Sequence, residues 1–428
     1  MNETPVKSRT PWAWVPTLYF AEGLPNAIVV TVSLVMYKDL GLSNTANAFY
    51  TSLLYLAWVV KPLWSPLVDL LGTRRRWAWI SQLVVGAALG GVALRLPLAH
   101  MLPWTLAMFW LIAFTSATHD IAADGYYMLE LDAQRQALFV GVRTLFYRGS
   151  TLFASGLLVR YAGQLVEAKG SPTQGWAWAM AGLSGVMLLL GTFHAFALPR
   201  PAADKPGEAR RVPELMREFG STFGSFFRKP GILRLLAFLL LYRFGEAQLV
   251  KMVAPFLKDP RAVGGLGLTT TQFGTIYGTF GILALSVGGV LGGIVTARDG
   301  LKRWLWPMVL ALHLPDLVFL YLAYAQPTSV AIIQAGVMIE QFGYGFGFTA
   351  YVLYMLHSAR GQHQTAHYAI CTGFMAMGLM FPGMWSGWLQ DHIGYKHFFL
   401  WVILATVPSF AVVLRLPLDD GFGKQAAA

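Results

Sequence analysis

The chain has 428 residues, of which 56% are hydrophobic and 12% charged, against about 25% charged in an average soluble domain. That much apolar surface cannot be hidden inside a water-soluble fold of this length, so lipid is part of its solvent. The net charge of +11 would point to nucleic acid in a soluble protein, but here the basic residues sit in short loops between apolar runs, where they set topology.

A spanning helix needs about 20 mostly apolar residues. Twelve stretches meet that need: 12–37, 45–68, 77–97, 103–128, 136–164, 176–198, 231–256, 270–296, 304–324, 329–356, 367–389 and 397–416, here helices 1 to 12. The first follows Lys7 and Arg9, holds Glu22 and Pro25 and lacks a small-residue cleavage site. It therefore reads as an uncleaved helix, not a signal peptide. Between helices 6 and 7, Pro199, Pro201 and Pro206 open a linker. Its residues 213–228 place Leu215, Phe219, Phe223, Phe226 and Phe227 at roughly helical spacing, which reads as an amphipathic helix on the membrane surface or as a plain connector. The expected organisation is a six-helix bundle over 1–200, a linker over 201–230 and a second bundle over 231–428. Arg74, Arg75, Arg76, Arg135, Arg298, Lys302, Arg303, Arg360 and the basic linker share one side. The positive-inside rule puts that side, with both termini, in the cytoplasm. The single cysteine, Cys371, excludes an internal disulfide framework and a cysteine-based metal cluster, and no cofactor is expected.

The two halves resemble each other. Leu18-Tyr19 with Glu22 returns as Leu241-Tyr242 with Glu246; Lys38-Asp39 returns as Lys258-Asp259; Gly72 to Arg75 returns as Gly300 to Arg303; Tyr127-Met128 returns as Tyr354-Met355. These matches keep one order, from Glu22 to Glu246 and from Gly72 to Gly300, so the period is half the chain. Two related six-helix halves resemble the major facilitator arrangement, an all-α membrane fold whose halves rock about a midplane site. The segment Ser65 to Arg75, with Leu67, Asp69, Gly72, Arg74 and Arg75, is similar to the facilitator loop signature. The resemblance implies gating by Asp69, Arg74 and Arg75.

A narrower likeness rests on Gly23-Leu24-Pro25, on Lys61 to Asp69, on Ser116 to Tyr126 and on Gly141 to Gly149. These segments resemble AmpG-type muropeptide permeases, although His119 stands where that pattern usually has Gln. The resemblance implies a proton-driven importer of anhydro-muropeptides in a bacterial inner membrane, or a siderophore or other small-solute permease of the same fold. Its expected partners are the bilayer, a small solute and protons, and it is expected to act as a monomer.

Ionisable groups at membrane depth default to function. In the facilitator arrangement helices 1, 4, 7 and 10 line the cavity, and there lie Glu22, His119, Asp120, Asp124, Arg243, Glu246 and Glu340. Asp120 and Asp124 share a helix face at i, i+4. Helix 5 runs antiparallel and is expected to set Arg143 against Asp124 and Arg148 against Asp120, either as a breakable network at the inner gate in which Asp120 and Asp124 take part in proton coupling or as a static pair. Burial favours the neutral form of a carboxylic acid, which suits Glu22 and Glu246 to carry a proton. Arg148 and Arg243 are candidates for a substrate carboxylate, with Tyr126, Tyr242, Glu340, Gln341 and Tyr344 as further substrate contacts. Lys61 is expected to snorkel to the surface, while His313 and Asp316 on the peripheral helix 9 have no assigned role. An intramembrane enzyme using His119 and Asp120 is the rival reading. Against it, the chain has no nucleophile motif, no metal-ligand spacing and no Walker A loop.

Overall fold

The computed structural model describes residues 10–204, 212–361, 363–414, 416–419 and 422–424. All secondary structure among these residues is helical. Helix 1 is Pro11–Asp39, helix 3 Arg74–Arg95, helix 4 Met101–Glu130, helix 6 Pro172–Ala197, helix 8 Thr270–Asp299 and helix 9 Leu301–Ala325. Helix 2 is Asn44–Leu53 continued by Leu56–Leu71, helix 7 is Ile232–Leu241 continued by Phe244–Lys258, and helix 10 is Val330–Ala359. Helix 5 is Ala133–Leu152 and Val159–Lys169 joined by one wide turn, Phe153–Leu158. Helices 11 and 12 run on from 364 to 413, separated by a kink at Gly394, whose φ of 72° suits a residue without a Cβ. By length and composition alone seven segments qualify as spans, helices 11 and 12 counting as one. Helices 2, 5, 7 and 10 fall short of that test: two are broken mid-span, and helices 5, 7 and 10 carry the charges described below.

The short loops carry their own stop and start signals. Ser43, Thr73, Asp132 and Ser171 each accept a hydrogen bond from a backbone N–H three residues on, which satisfies an orphan donor of the helix that follows. Thr269 and Gln272 form a reciprocal capping box at the start of helix 8. The linker does contain a helix, Val212–Phe227. Phe226 is fully buried against His367 and Phe374 of helix 11, whereas the side chains of Leu215 and Phe219 lie outside the described residues.

The core decides the shape. At the end away from the linker one apolar cluster runs through both halves, from Ile28 and Val32 of helix 1 to Phe256 and Leu257 of helix 7 and Phe399 of helix 12. At the linker end it divides. Trp14, Leu18, Tyr19 and Tyr126 form a core of the first half alone, and Phe238, Tyr242, Tyr351 and Tyr354 one of the second half alone. The halves thus meet at one end and part at the other.

Where they meet, backbones touch. A Cβ on Gly278 of helix 8 would lie 1.7 Å from the Ser155 carbonyl oxygen of helix 5, and one on Gly387 of helix 11 would lie 2.0 Å from that of Asn44 at helix 2. Lipid offers no hydrophobic drive for helix association, so such closeness has to come from small residues.

Gly278→Val should therefore disfavour the sealed end by about 1–3 kcal/mol, the usual cost of overpacking. Spin labels at Leu98 and Val263 should report a longer, broader distance. Gly293→Val, whose Cβ meets nothing within 4 Å, should leave the distance unchanged. An unaltered distribution in Gly278→Val would refute the close contact.

Candidate functional site

The sealed end is fastened by repeat-related dipeptides. Lys38-Asp39 ends helix 1 and Lys258-Asp259 ends helix 7, and they exchange ion pairs across the halves. Lys38 Nζ lies 2.5 Å from Asp259 Oδ1, and Lys258 pairs with Asp39. The second oxygen of each carboxylate is engaged as well. Thr270 Oγ1 and Trp176 Nε1 donate to Asp39 Oδ2 at 2.7 and 2.9 Å, and Tyr395 OH donates to Asp259 Oδ2 at 2.6 Å. Asn44 adds bonds to Gln390 and Tyr395 at 2.7 and 3.0 Å, and Thr45 donates to Asp391 at 2.6 Å. Sequence reasoning had used these dipeptides as markers of the repeat and missed their pairing. The signal was present: each carries both charges, so twofold symmetry alone brings opposite signs together.

Below the seal, the first half holds an ionised network. Arg143 of helix 5 meets Asp124 of helix 4 at 2.8 Å, as expected, and lies over the rings of Tyr19 and Tyr127 at 4.5 and 5.2 Å. Tyr19 OH donates to Asp124 Oδ1 at 3.0 Å. Asp120 does not meet Arg148. Its Oδ2 is held by Lys61 Nζ and Trp58 Nε1 of helix 2, both at 3.2 Å. The geometry explains this: at about 100° per residue, Arg143 and Arg148 lie roughly 140° apart on helix 5 and cannot both face helix 4. Lys61 is accordingly an ion-pair partner and does not snorkel. Glu22 sits between the two pairs and feels Asp124, Asp120, Arg143 and Lys61, yet it is 7% exposed and its Oε2 has no hydrogen-bond partner among the described residues. Gly23 beside it lets helix 1 lie against Ser150 and Tyr147 of helix 5.

In the second half Arg243 Nε lies 2.9 Å from Glu246 Oε2 and Arg243 Nη2 donates to Tyr344 OH at 2.5 Å, with the guanidinium over Phe348 at 4.8 Å. The break in helix 7 at Tyr242-Arg243 puts Arg243 at the N-cap and Glu246 in the first turn, where the helix dipole favours an acid. Lys251, two turns on, was missed. It is 2% exposed, donates to Thr51 Oγ1 of helix 2 at 3.1 Å and lies over the Tyr55 ring at 4.9 Å.

Several expected contacts lie elsewhere. Tyr126 OH donates to the Pro199 carbonyl and Tyr242 OH to the Gly347 carbonyl, and both rings are packed in cores. Glu340 and Gln341 are buried and bonded to each other at 2.9 Å. Their polarity was legible from the sequence, but the direction of each side chain depends on where neighbouring helices stand. His119 bonds Gln82, which also bonds His194, so it points into the first half and away from any acid–base role with Asp120. Arg74 and Arg75 tie the first half to itself. Arg74 donates to the Gly125 carbonyl at 3.1 Å, and Arg75 donates to the Leu198 carbonyl at 2.9 Å and to that of Ala195. The Asp69 side chain lies outside the described residues.

Exposure locates the cavity. At membrane depth, charged side chains almost always face water or a partner and not lipid. The side chains of Lys61, Arg143 and Asp124 are 26%, 29% and 41% exposed, and Arg148 is exposed. Arg148 acts electrostatically on Tyr147 of its own half and on Tyr344 of the other. The network therefore lines a wet cleft between the halves, open towards the linker end.

Comparison with known proteins agrees with this architecture. A family profile described as Major Facilitator Superfamily matches residues 17–370. The anhydromuropeptide permease of Escherichia coli K12 is 27% identical over 410 residues, covering 93% of this chain and 78% of that one. The crystal structure of a D-xylose-proton symporter superposes with a TM-score of 0.70 at 14% identity, covering 96% and 98% of the two chains. That of an inward-facing bacterial homolog of the human lysosomal transporter Spinster also gives 0.70, at 13% identity over 96% and 97%. Fold and family are those of transporters, not of enzymes.

Asp259→Asn should release the seal. A hydrogen bond to a charged group contributes about 1.5–3 kcal/mol, so the open-to-sealed ratio should rise about tenfold or more. The exchange Lys38→Asp with Asp259→Lys keeps opposite signs across both pairs and should restore the distance between labels at Leu98 and Val263. If the exchange opens the seal as far as the single change does, the latch is not electrostatic.

Proposed function

We propose that this chain, which belongs to the Major Facilitator Superfamily, imports an anhydro-muropeptide or related amino-sugar solute with protons across a bacterial inner membrane. The substrate class is supported by likeness to the Escherichia coli anhydromuropeptide permease along 93% of the chain. Orientation follows from the basic loops and linker, which favour the cytoplasm. Both termini then lie inside, and the cleft described above is the inward-open state of a monomer that encloses its own site.

The observation that carries proton coupling is Glu22, buried between two ion pairs with an oxygen that has no hydrogen-bond partner among the described residues. Lys61 pairs with Asp120 and Arg143 with Asp124, so Glu22 is the acid that these two pairs leave without a cation of its own. A neutral Glu22 fits the closed site. An ionised Glu22 competes with Asp124 for Arg143 and with Asp120 for Lys61, which loosens the packing of helices 2 and 5 on helix 4. A proton taken up at Glu22 from the outer side and released to the inner cleft thereby ties protonation to the position of the helices. The substrate's acidic groups go to Arg148 in the first half and Arg243 in the second, both of which neighbour Tyr344. Tyr344 stands beside both and offers its hydroxyl to the sugar.

Glu22→Gln should abolish gradient-driven uptake of radiolabelled anhydro-muropeptide in proteoliposomes and leave counterflow exchange intact. Loss of both, or of neither, would remove Glu22 from coupling. Arg148→Gln should raise the KM for uptake roughly tenfold, the worth of one charge-assisted contact. An unchanged KM would refute its role. A thermal-shift series with anhydro-muropeptides, chitobiose-like sugars and siderophores then decides the cargo, since only the true class should stabilise the protein.

A further inference from the structure

Helix 9 of a facilitator supports the bundle from outside, yet here it carries two buried ionisable groups into the second half. The helix is broken at Leu314–Asp316 by a single tight turn containing Pro315. Asp316 is 1% exposed and His313 3%. Neither carboxyl oxygen of Asp316 has a hydrogen-bond partner among the described residues.

The glycines of helix 10 explain how this turn comes so close. Gly336, Gly343 and Gly347 lie at helical spacing on one face, and each is pressed on helix 9. A Cβ on Gly343 would lie 2.1 Å from the Ala311 carbonyl and 2.7 Å from Pro315, one on Gly336 would lie 2.6 Å from Val318, and one on Gly347 would lie 2.5 Å from the Met308 carbonyl. Glu340 sits on the same face, four residues after Gly336 and three before Gly343. It therefore points at the stretch of helix 9 between Pro315 and Val318, where Asp316 is. Asp316 is the foremost charged neighbour of Glu340, and Glu246 is that of Asp316. The groups around this pair are Glu246, Arg243 and the Tyr242 carbonyl from helix 7, Tyr277 from helix 8, His313 from helix 9 and Gln341 from helix 10. Phe410 of helix 12 covers His313. Arg243 is the cation among them, and its Nε is engaged by Glu246 Oε2.

His313 adds an independent constraint. Its Nε2 lies 3.1 Å from the Tyr242 carbonyl oxygen, which can only accept, so Nε2 carries the proton. In neutral His313 the lone pair is then on Nδ1, 3.8 Å from Asp316 Oδ2. A lone pair facing a carboxylate is repulsive, whereas one facing a carboxylic acid O–H is attractive.

We infer that Asp316 and Glu340 form a proton-holding carboxyl pair that serves Glu246 when Arg243 leaves it for the substrate. Two carboxyl groups in one dry site cannot both ionise, and with Arg243 engaged by Glu246 neither has a cation of its own among the described residues, so the pair starts with both protons and can give up one while keeping the other. When a substrate carboxylate takes Arg243, Glu246 is left as an unpaired buried anion. It then accepts a proton from the pair: one O–H bond breaks at Asp316 or Glu340, one forms on Glu246, and the charge left behind stays on the carboxyl that gave the proton, beside the one that keeps its own. This rests on proton-coupled transport through the chain and adds a second station to it, on a helix that lines no cleft.

The test starts from the full chain in liposomes without substrate. Infrared spectra of wild type should show the carbonyl stretch of a protonated carboxyl that disappears in Asp316→Asn and shifts in Asp316→Glu. Asp316→Asn should also lose concentrative uptake of radiolabelled anhydro-muropeptide while keeping counterflow. Glu340→Gln should perturb the same band. If no protonated-carboxyl band depends on Asp316, the acid is ionised against His313 and the inference fails. If the band is present but Asp316→Asn concentrates substrate as wild type does, the pair is structural and the inference again fails. If wild type itself shows no gradient-driven uptake, the coupling reading falls, and the infrared result still decides the protonation of the pair.

Discussion

Lipid cannot hydrate a charge, and that constraint organises this molecule. Every ion at membrane depth has to find an opposite charge, a hydroxyl, an aromatic face or water. The sealed end solves this by symmetry. Lys38-Asp39 and Lys258-Asp259 are copies of one dipeptide, and the pseudo-twofold axis turns each lysine onto the other copy's aspartate. Neither half can satisfy these four charges alone, because within a dipeptide the two side chains are adjacent on the helix and point apart. Closure of this end is thus an electrostatic requirement of the repeat, and the glycine contacts between helices 5 and 8 and between helices 2 and 11 supply the room for it.

The halves are otherwise unlike. The first keeps its ions paired and partly wet: Lys61 with Asp120 and Arg143 with Asp124, beside the open cleft. The second keeps its acids dry, with Glu246, Asp316 and Glu340 gathered near the single Arg243. Water screens the first set and lets it rearrange at small cost. The second set has no such solvent, so its charge state and the position of Arg243 are bound together. A carrier built this way can sense the solute in one half and adjust helix packing in the other.

Much of this was legible in the sequence, and the division is physical. Hydropathy and the basic loops depend on composition, which is local, so the twelve crossings and the two halves could be read directly. The pairing of Asp124 with Arg143 followed from antiparallel neighbours at matching depth. The pairing of Asp120 was half legible: the five-residue spacing of Arg143 and Arg148 already puts them on different faces of helix 5, but that Lys61 and Trp58 take Asp120 depends on how helix 2 docks against helix 4. His313 and Asp316 were visible as charges out of place, but their meaning lies in the glycine face of helix 10, a long-range match that becomes evident only once the helices are docked. Lys251 failed to register for the same reason: its partners, Thr51 and Tyr55, belong to the other half.

Lys251 also shows why opening and closing must be all-or-none. When the sealed end parts, Lys38, Lys258 and Lys251 lose their cross-half partners together. Breaking a buried ion pair while both ions stay dry costs about 3–5 kcal/mol, and two such pairs plus a lysine stripped of its hydrogen bond add to a barrier that thermal motion crosses rarely. Water removes that cost, but only if the gap admits it to all three lysines. Lys251 lies beneath the latch, two turns of helix from Lys258 and level with Tyr55, which feels Arg243 and Glu246. A gap that hydrates the latch alone leaves Lys251 unpaired, whereas one that reaches Lys251 has already reached the rim of the Arg243 site. A dry, half-broken seal is therefore the least stable arrangement, and the molecule is driven to either of two states, sealed to the depth of Thr51 or open to the depth of Arg243.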